Sequence, residues 1–132
     1  MKLTVLDEDL FLQSIAFSSN ADYLNNEYEV YAVCSLGSIK KNKHYLILLN
    51  DNCLRWCKDS NAVKIIGDMN GNWVFVSNLQ VKGFDDFEPC KISFKDLYCY
   101  QWMLEDDKFL FESVYGNTYH SLSLLKEKMG LN

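Results

Sequence analysis

Strand-like segments that follow one another too closely for helices to fit between them are the strongest constraint on how this chain can fold. Tyr28–Cys34, Tyr45–Leu49, Cys53–Cys57, Ala62–Ile66 and Trp73–Val76 are rich in the β-branched, aromatic and other apolar residues that suit a pleated, half-buried surface. The intervals between them, such as Gly37–Asn42, Asn50-Asp51-Asn52 and Gly67–Asn72, are built from turn-forming residues. A parallel pair needs a crossover of roughly a dozen residues or more, so these segments are expected to pair antiparallel. Asn70-Gly71 tolerates positive φ at both positions and predicts a hairpin joining 62–66 to 73–76. Tyr45–Leu49 is continuously apolar instead of alternating, which predicts a central strand buried on both faces.

Helices are expected at the two ends. Asp7-Glu8-Asp9 precede Leu10, Phe11 and Ile15 at near-helical spacing, and acids there complement a helix N-terminus, predicting a helix over Glu8–Ser18. Leu122, Leu125 and Met129, with Lys126 and Lys128 in the last turn and Gly130 as a stop, predict a helix over Thr118–Met129. Between them, Gln80–Lys91 holds Gly83, Pro89 and three acids and reads as a loop. Tyr98, Tyr100, Trp102 and Leu104 alternate along 96–104, so Glu105-Asp106-Asp107 is expected to turn that strand into a second hairpin with Phe109–Tyr115. The resulting expectation is a single α+β domain over 1–132. It has a mostly antiparallel meander sheet of about six or seven strands, with an N-terminal and a C-terminal helix packed on it. An apolar share of 48% and a charged share of 23% agree with a globular chain.

Met1–Leu6 runs straight into acids, with neither the apolar core of a secretory signal nor its cleavage site, and no stretch approaches the roughly 20 apolar residues of a membrane span. The five cysteines are odd in number and scattered among apolar neighbours, which suits buried free thiols better than a disulfide scaffold. Both points lead to a cytoplasmic protein without a membrane partner.

Recognisable chemistry is sparse. Cys53 and Cys57 have loose zinc-knuckle spacing, but on one strand they would stand about 13 Å apart, and His44, His120, Cys90 and Cys99 do not complete a second ligand pair. A calcium loop counted from Asp68 would need Gly and an acid where Trp73 and Leu79 stand. Cys34 with His44, or Ser121 beside His120, offers a nucleophile and a base without a local signature. The glycines do not fall in phosphate-loop spacing, and Lys40-Lys41-x-Lys43 reads as a solvated turn. No metal and no cofactor are expected.

Charge and aromatic content carry the functional expectation. With 18 acids against 13 bases the net charge is −5, and Arg55 is the only arginine, which argues against nucleic acid as a partner. The acids concentrate in Asp7-Glu8-Asp9, Asp85-Asp86-x-Glu88 and Glu105-Asp106-Asp107. Aromatics reach 14%, more than a small core holds, and aromatics beside acids suit a protein-binding patch. The partner-binding residues expected on this basis are Phe84, Asp85, Asp86, Phe87, Glu88, Glu105, Asp106 and Asp107. The function expected is that of a small, acidic, non-enzymatic binding protein. Its most concrete version is a bacterial immunity or antitoxin-like inhibitor that neutralises a basic toxin domain, such as a nuclease, by direct contact. The alternatives are a small-molecule-binding or weakly catalytic domain with a pocket between sheet and helix, and a subunit of a larger assembly.

Overall fold

A computed structural model of the chain describes residues 1–14, 26–36, 43–49, 53–82, 91–106, 108–115 and 119–131. It is α+β, with antiparallel pairing throughout its two sheets. The three-stranded sheet has the order β2-β1-β6, formed by β1 (Lys2–Val5), β2 (Glu27–Glu29) and β6 (Val63–Ile66). The six-stranded sheet begins with the meander β3 (Ala32–Leu36), β4 (Lys43–Leu48) and β5 (Leu54–Lys58). It is completed by β7 (Trp73–Val76), β8 (Leu79–Lys82) and β9 (Lys91–Tyr100), in the order β5-β4-β3-β9-β7 with β8 also on β9. The meander therefore stops at β3, where β9 returns from far along the chain.

Each face of the six-stranded sheet carries its own core. On one side Val33, Tyr45 and Ile47 pack with Leu3, Val5 and Tyr28 of the small sheet and with Phe11 of α1 (Glu8–Ser14). On the other, Ala32, Leu46, Phe94 and Leu97 pack with Met103, Phe109 and Leu125 of α2 (Gln101–Glu105), α3 (Phe109–Tyr115) and α4 (Tyr119–Met129). The continuous apolar run of β4 follows from this layering. Tyr45, Ile47 and Leu49 serve the first core, while Leu46 enters the second with Leu48 packed against it. No helix among the described residues is long and apolar enough to cross a membrane.

Both terminal helices carry the end signals the sequence offers. Asp7 Oδ1 accepts the Leu10 N–H at 3.2 Å, capping α1, whose described extent ends at Ser14; the remainder of the expected helix lies outside the described residues. At the end of α4, Gly130 takes φ +67°, and the Leu131 and Gly130 N–H groups return to the carbonyls of Lys126 and Glu127 at 2.8 and 3.4 Å. That is a Schellman ending, which glycine permits without a Cβ penalty.

Three strand expectations are corrected. Tyr28–Cys34 is not one strand: it divides into β2 and β3, which join different sheets. A regular strand sends successive side chains to opposite faces, whereas Tyr31 and Ala32 both enter the second core, breaking the alternation between Val30 and Val33. The segments 62–66 and 73–76 do not form a hairpin either, since β6 pairs with β1 and β7 with β9. Asn70 still makes the turn, its Oδ1 accepting the Asn72 N–H at 2.8 Å and its carbonyl the Trp73 N–H at 3.0 Å, but the turn connects two sheets. Finally, the second hairpin is replaced by helices: β9 ends at Tyr100, and 101–105 and 109–115 are α2 and α3. Phe109, Leu110 and Ser113 are buried at helical spacing against the sheet, and this packing outweighs the local aromatic alternation. The expected loop over 80–91 likewise begins within β8, and 83–90 lie outside the described residues.

β9 bends midway. Val33 pairs with Tyr98 and Ser35 with Lys95, so Cys34 faces two residues, Asp96 and Leu97. Asp96 takes φ +47°, and across the other edge Asn78, between β7 and β8, takes φ +56°. Asp and Asn are the non-glycine residues that tolerate this left-handed region best, and the extra residue is a β-bulge that turns the strand.

Candidate functional site

The described members of the expected partner-binding set meet at the corner between α2 and α3. Glu105 is exposed at the last position of α2, and Asp106 follows it. Asp106 Oδ1 accepts the backbone N–H groups of Lys108 and Phe109 at 3.0 and 2.9 Å, which caps α3. His120, at the start of α4, brings its Nε2 to 3.2 Å from Oδ1 and 3.1 Å from Oδ2. One carboxylate thus ties the α2 corner, the first turn of α3 and the first turn of α4 together. Burial pushes the Asp106 carboxyl up, but the hydrogen bonds from His120 and the two backbone N–H groups, with the charge of His120, outweigh it. They hold the group below the ordinary aspartate value. Asp106 is therefore ionised at neutral pH and partly committed to structure, with its second oxygen the less occupied.

Two concavities share Asp106. The larger, about 330 Å³, lies between β8 and the helices; Met103 and Leu110 are buried beneath it, Leu79, Val81 and Leu104 flank it, and Lys82 stands with Asp106 among its polar groups. The smaller, about 190 Å³, is lined by Trp102, Glu105, Asp106, Leu124 and Lys128. Trp102 is fixed there by aromatic contacts, stacked on Tyr100 at 6.2 Å and edge-on to Phe109 at 5.0 Å. The arrangement sets apolar side chains beside acidic and basic ones, which suits contact with a complementary surface.

Of the other expected residues, Phe84, Asp85, Asp86, Phe87, Glu88 and Asp107 lie outside the described residues. The roles of His120, Trp102 and Leu124 carry no local signature, since each depends on α4 folding back over α2 and α3.

The nucleophile pairs considered from sequence are separated by chemistry or by direction. Cys34 and His44 are cross-strand partners. Burial, with the neighbouring Cys99, pushes the Cys34 thiol far above its ordinary value, and burial raises Cys99 to about 12. Neither supplies a thiolate at neutral pH. Ser121 is buried on the inner side of α4 while His120 is exposed and turned to Asp106, so neighbours in sequence face different surroundings. Among the described residues no three His, Cys, Asp or Glu side chains gather as a metal site. Compared with known protein families, curated proteins and solved structures, the chain finds no match.

Proposed function

We propose that this chain is a non-enzymatic binding protein that docks a basic protein partner on the α2–α3 corner. In its most concrete form it acts in the bacterial cytoplasm as an immunity or antitoxin-like inhibitor of a basic toxin domain. The observation that carries this reading is the grouping of exposed Glu105 and ionised Asp106 with Trp102 around one concavity, where two acids outnumber the single base, Lys128. Acids at the margin steer a basic partner and raise its association rate, while a desolvated aromatic contributes affinity. The acids and aromatics of 84–88 extend the same chemistry in sequence.

The test begins with the native host: recovery of a basic protein encoded beside this gene, then association kinetics with that purified partner. Glu105→Lys, and Asp85→Lys with Asp86→Lys, are expected to slow association, and added salt to slow it further in the wild type. A partner whose association rate ignores both charge reversal and salt overturns the reading, as does the lack of any basic partner.

A second reading draws on the larger concavity. Its volume of about 330 Å³, apolar lining and two opposed charges fall in the range of small-ligand sites. Native mass spectrometry of protein purified from its host tests this directly, a retained metabolite favouring the ligand-binding reading over the inhibitor.

A further inference from the structure

Of the twelve asparagines in the chain, only Asn70 precedes a glycine. It lies in the turn that leads from β6 to β7, half-buried itself and followed by exposed Gly71 and Asn72. Three hydrogen bonds fix it. Its carbonyl accepts the Trp73 N–H at 3.0 Å, its Oδ1 accepts the Asn72 N–H at 2.8 Å, and its Nδ2 donates to the Tyr100 hydroxyl at 3.0 Å. None of the three uses the Gly71 N–H. Closing Oδ1 onto the amide two residues ahead folds the side chain across the Asn70–Gly71 peptide. Only Cβ, Cα and the backbone carbonyl carbon separate Cγ from the Gly71 nitrogen, so a bond between those two atoms closes a five-membered ring.

The hydrogen bond to Oδ1 draws electron density from Cγ and stabilises the negative charge that an attacking nitrogen places on that oxygen. Glycine puts no side chain beside the nitrogen and leaves its backbone the freedom to turn toward Cγ. The approach is open, since even an added Cβ at residue 71 would meet nothing within 4 Å. We propose that Asn70 is a self-modification site, at which the folded turn converts the asparagine to aspartate and isoaspartate through a succinimide. The Gly71 nitrogen gives its proton to solvent and bonds to Cγ. The Cγ–Nδ2 bond breaks, and Nδ2 takes a proton from water and leaves as ammonia. Water then opens the ring: breaking the Cγ–N bond yields aspartate, and breaking the backbone C–N bond yields isoaspartate, with the chain rerouted through Cβ. Either product adds a negative charge and loses the donor to Tyr100, whose ring stacks on Trp102 beside the smaller concavity. This inference is independent of the binding reading.

Ageing the folded protein at mildly alkaline pH in heavy-oxygen water, followed by peptide mapping with mass spectrometry, tests it. The peptide holding Asn70 is expected to gain the mass of an amide-to-acid exchange with one heavy oxygen, and to separate into an aspartyl and an isoaspartyl form. Gly71→Ala supplies the control. Gly71 lies outside the left-handed region and its Cβ position is clear, so the variant is expected to keep the wild-type circular dichroism spectrum. It should slow the conversion about tenfold or more, because the new methyl crowds the attacking nitrogen and raises the barrier. An Asn70 that stays intact in the folded chain overturns the proposal, whether or not the urea-unfolded chain converts. So does conversion at an unchanged rate in Gly71→Ala, which marks direct hydrolysis, or conversion confined to other asparagines.

Discussion

Replacing Asp106 by Ala removes a helix cap and an inter-helix contact in a single step, and their sizes can be separated. The cap consists of two backbone hydrogen bonds at 3.0 and 2.9 Å to the first turn of α3, and such caps contribute about 1 kcal/mol. The contact to His120 is partly open to water, with side chains 26% and 46% exposed for Asp106 and His120, so after screening it adds ~0.5 kcal/mol. Asp106→Ala should therefore cost roughly 1.5 kcal/mol, or about 5 °C in Tm for a domain of this size. Asp106→Asn keeps an oxygen that caps as well as aspartate and should cost only ~0.5 kcal/mol. The pH dependence follows from the lowered carboxyl. A group whose folded pKa lies below its unfolded value stabilises fully above the unfolded value, and that contribution is lost as pH falls through the folded one. The gap between wild type and Asp106→Asn should accordingly close on acidification below about pH 4. Urea unfolding of wild type, both variants and His120→Ala at neutral and acid pH measures all of this. If Asp106→Asn proves as damaging as Asp106→Ala, the cap is not what holds the corner, and the reasoning fails.

Three further outcomes are expected. Ser113 accepts the Trp56 indole N–H at 2.9 Å in a buried position and donates to the Leu110 carbonyl at 2.6 Å. Ser113→Ala should cost about 1–3 kcal/mol in urea unfolding by stranding that N–H, whereas an undisturbed midpoint would show that the bond contributes nothing. Gly130→Ala places a Cβ at φ +67° and should destabilise by about 1 kcal/mol, seen as a lower Tm with α4 fraying first in hydrogen exchange. In alkylation followed by mass spectrometry at pH 8, Cys34 and Cys99 should be labelled only on unfolding, and half-buried Cys53 before either; rapid labelling of native Cys34 would contradict its raised thiol.

Much of the fold was legible where a local signal and the tertiary demand agree. The β4 run is apolar because both its faces are covered, and α1 and α4 begin or end at Asp7 and Gly130 for reasons written in the adjacent residues. Legibility failed where a local pattern was satisfied without deciding the partner. Asn70-Gly71 makes its turn whether or not the flanking strands pair, and only the longer-range match of β6 with β1 and β7 with β9 shows that they do not. The alternation through Tyr98, Tyr100 and Trp102 is genuine in β9 and then runs on by chance into α2, too short a window to distinguish the two periods. The corner itself was legible as acidic, since Glu105 and Asp106 stand out in sequence. What Asp106 holds was not, because His120 lies 14 residues away and reaches it only through the packing of α3 on α4.

The position of β9 between β3 and β7 also sets an order on synthesis. A nascent chain can complete the β3–β4–β5 meander early, and most of the first core comes from residues no later than Val63. The free edge of β3 and the whole second face of the sheet must then wait for β9 and the three helices that follow it. Until Tyr100 has emerged, a growing chain therefore displays an open strand edge together with apolar Leu46, Leu54 and Trp56. That interval is when premature pairing with a neighbouring nascent chain is most favourable and chaperone capture most useful.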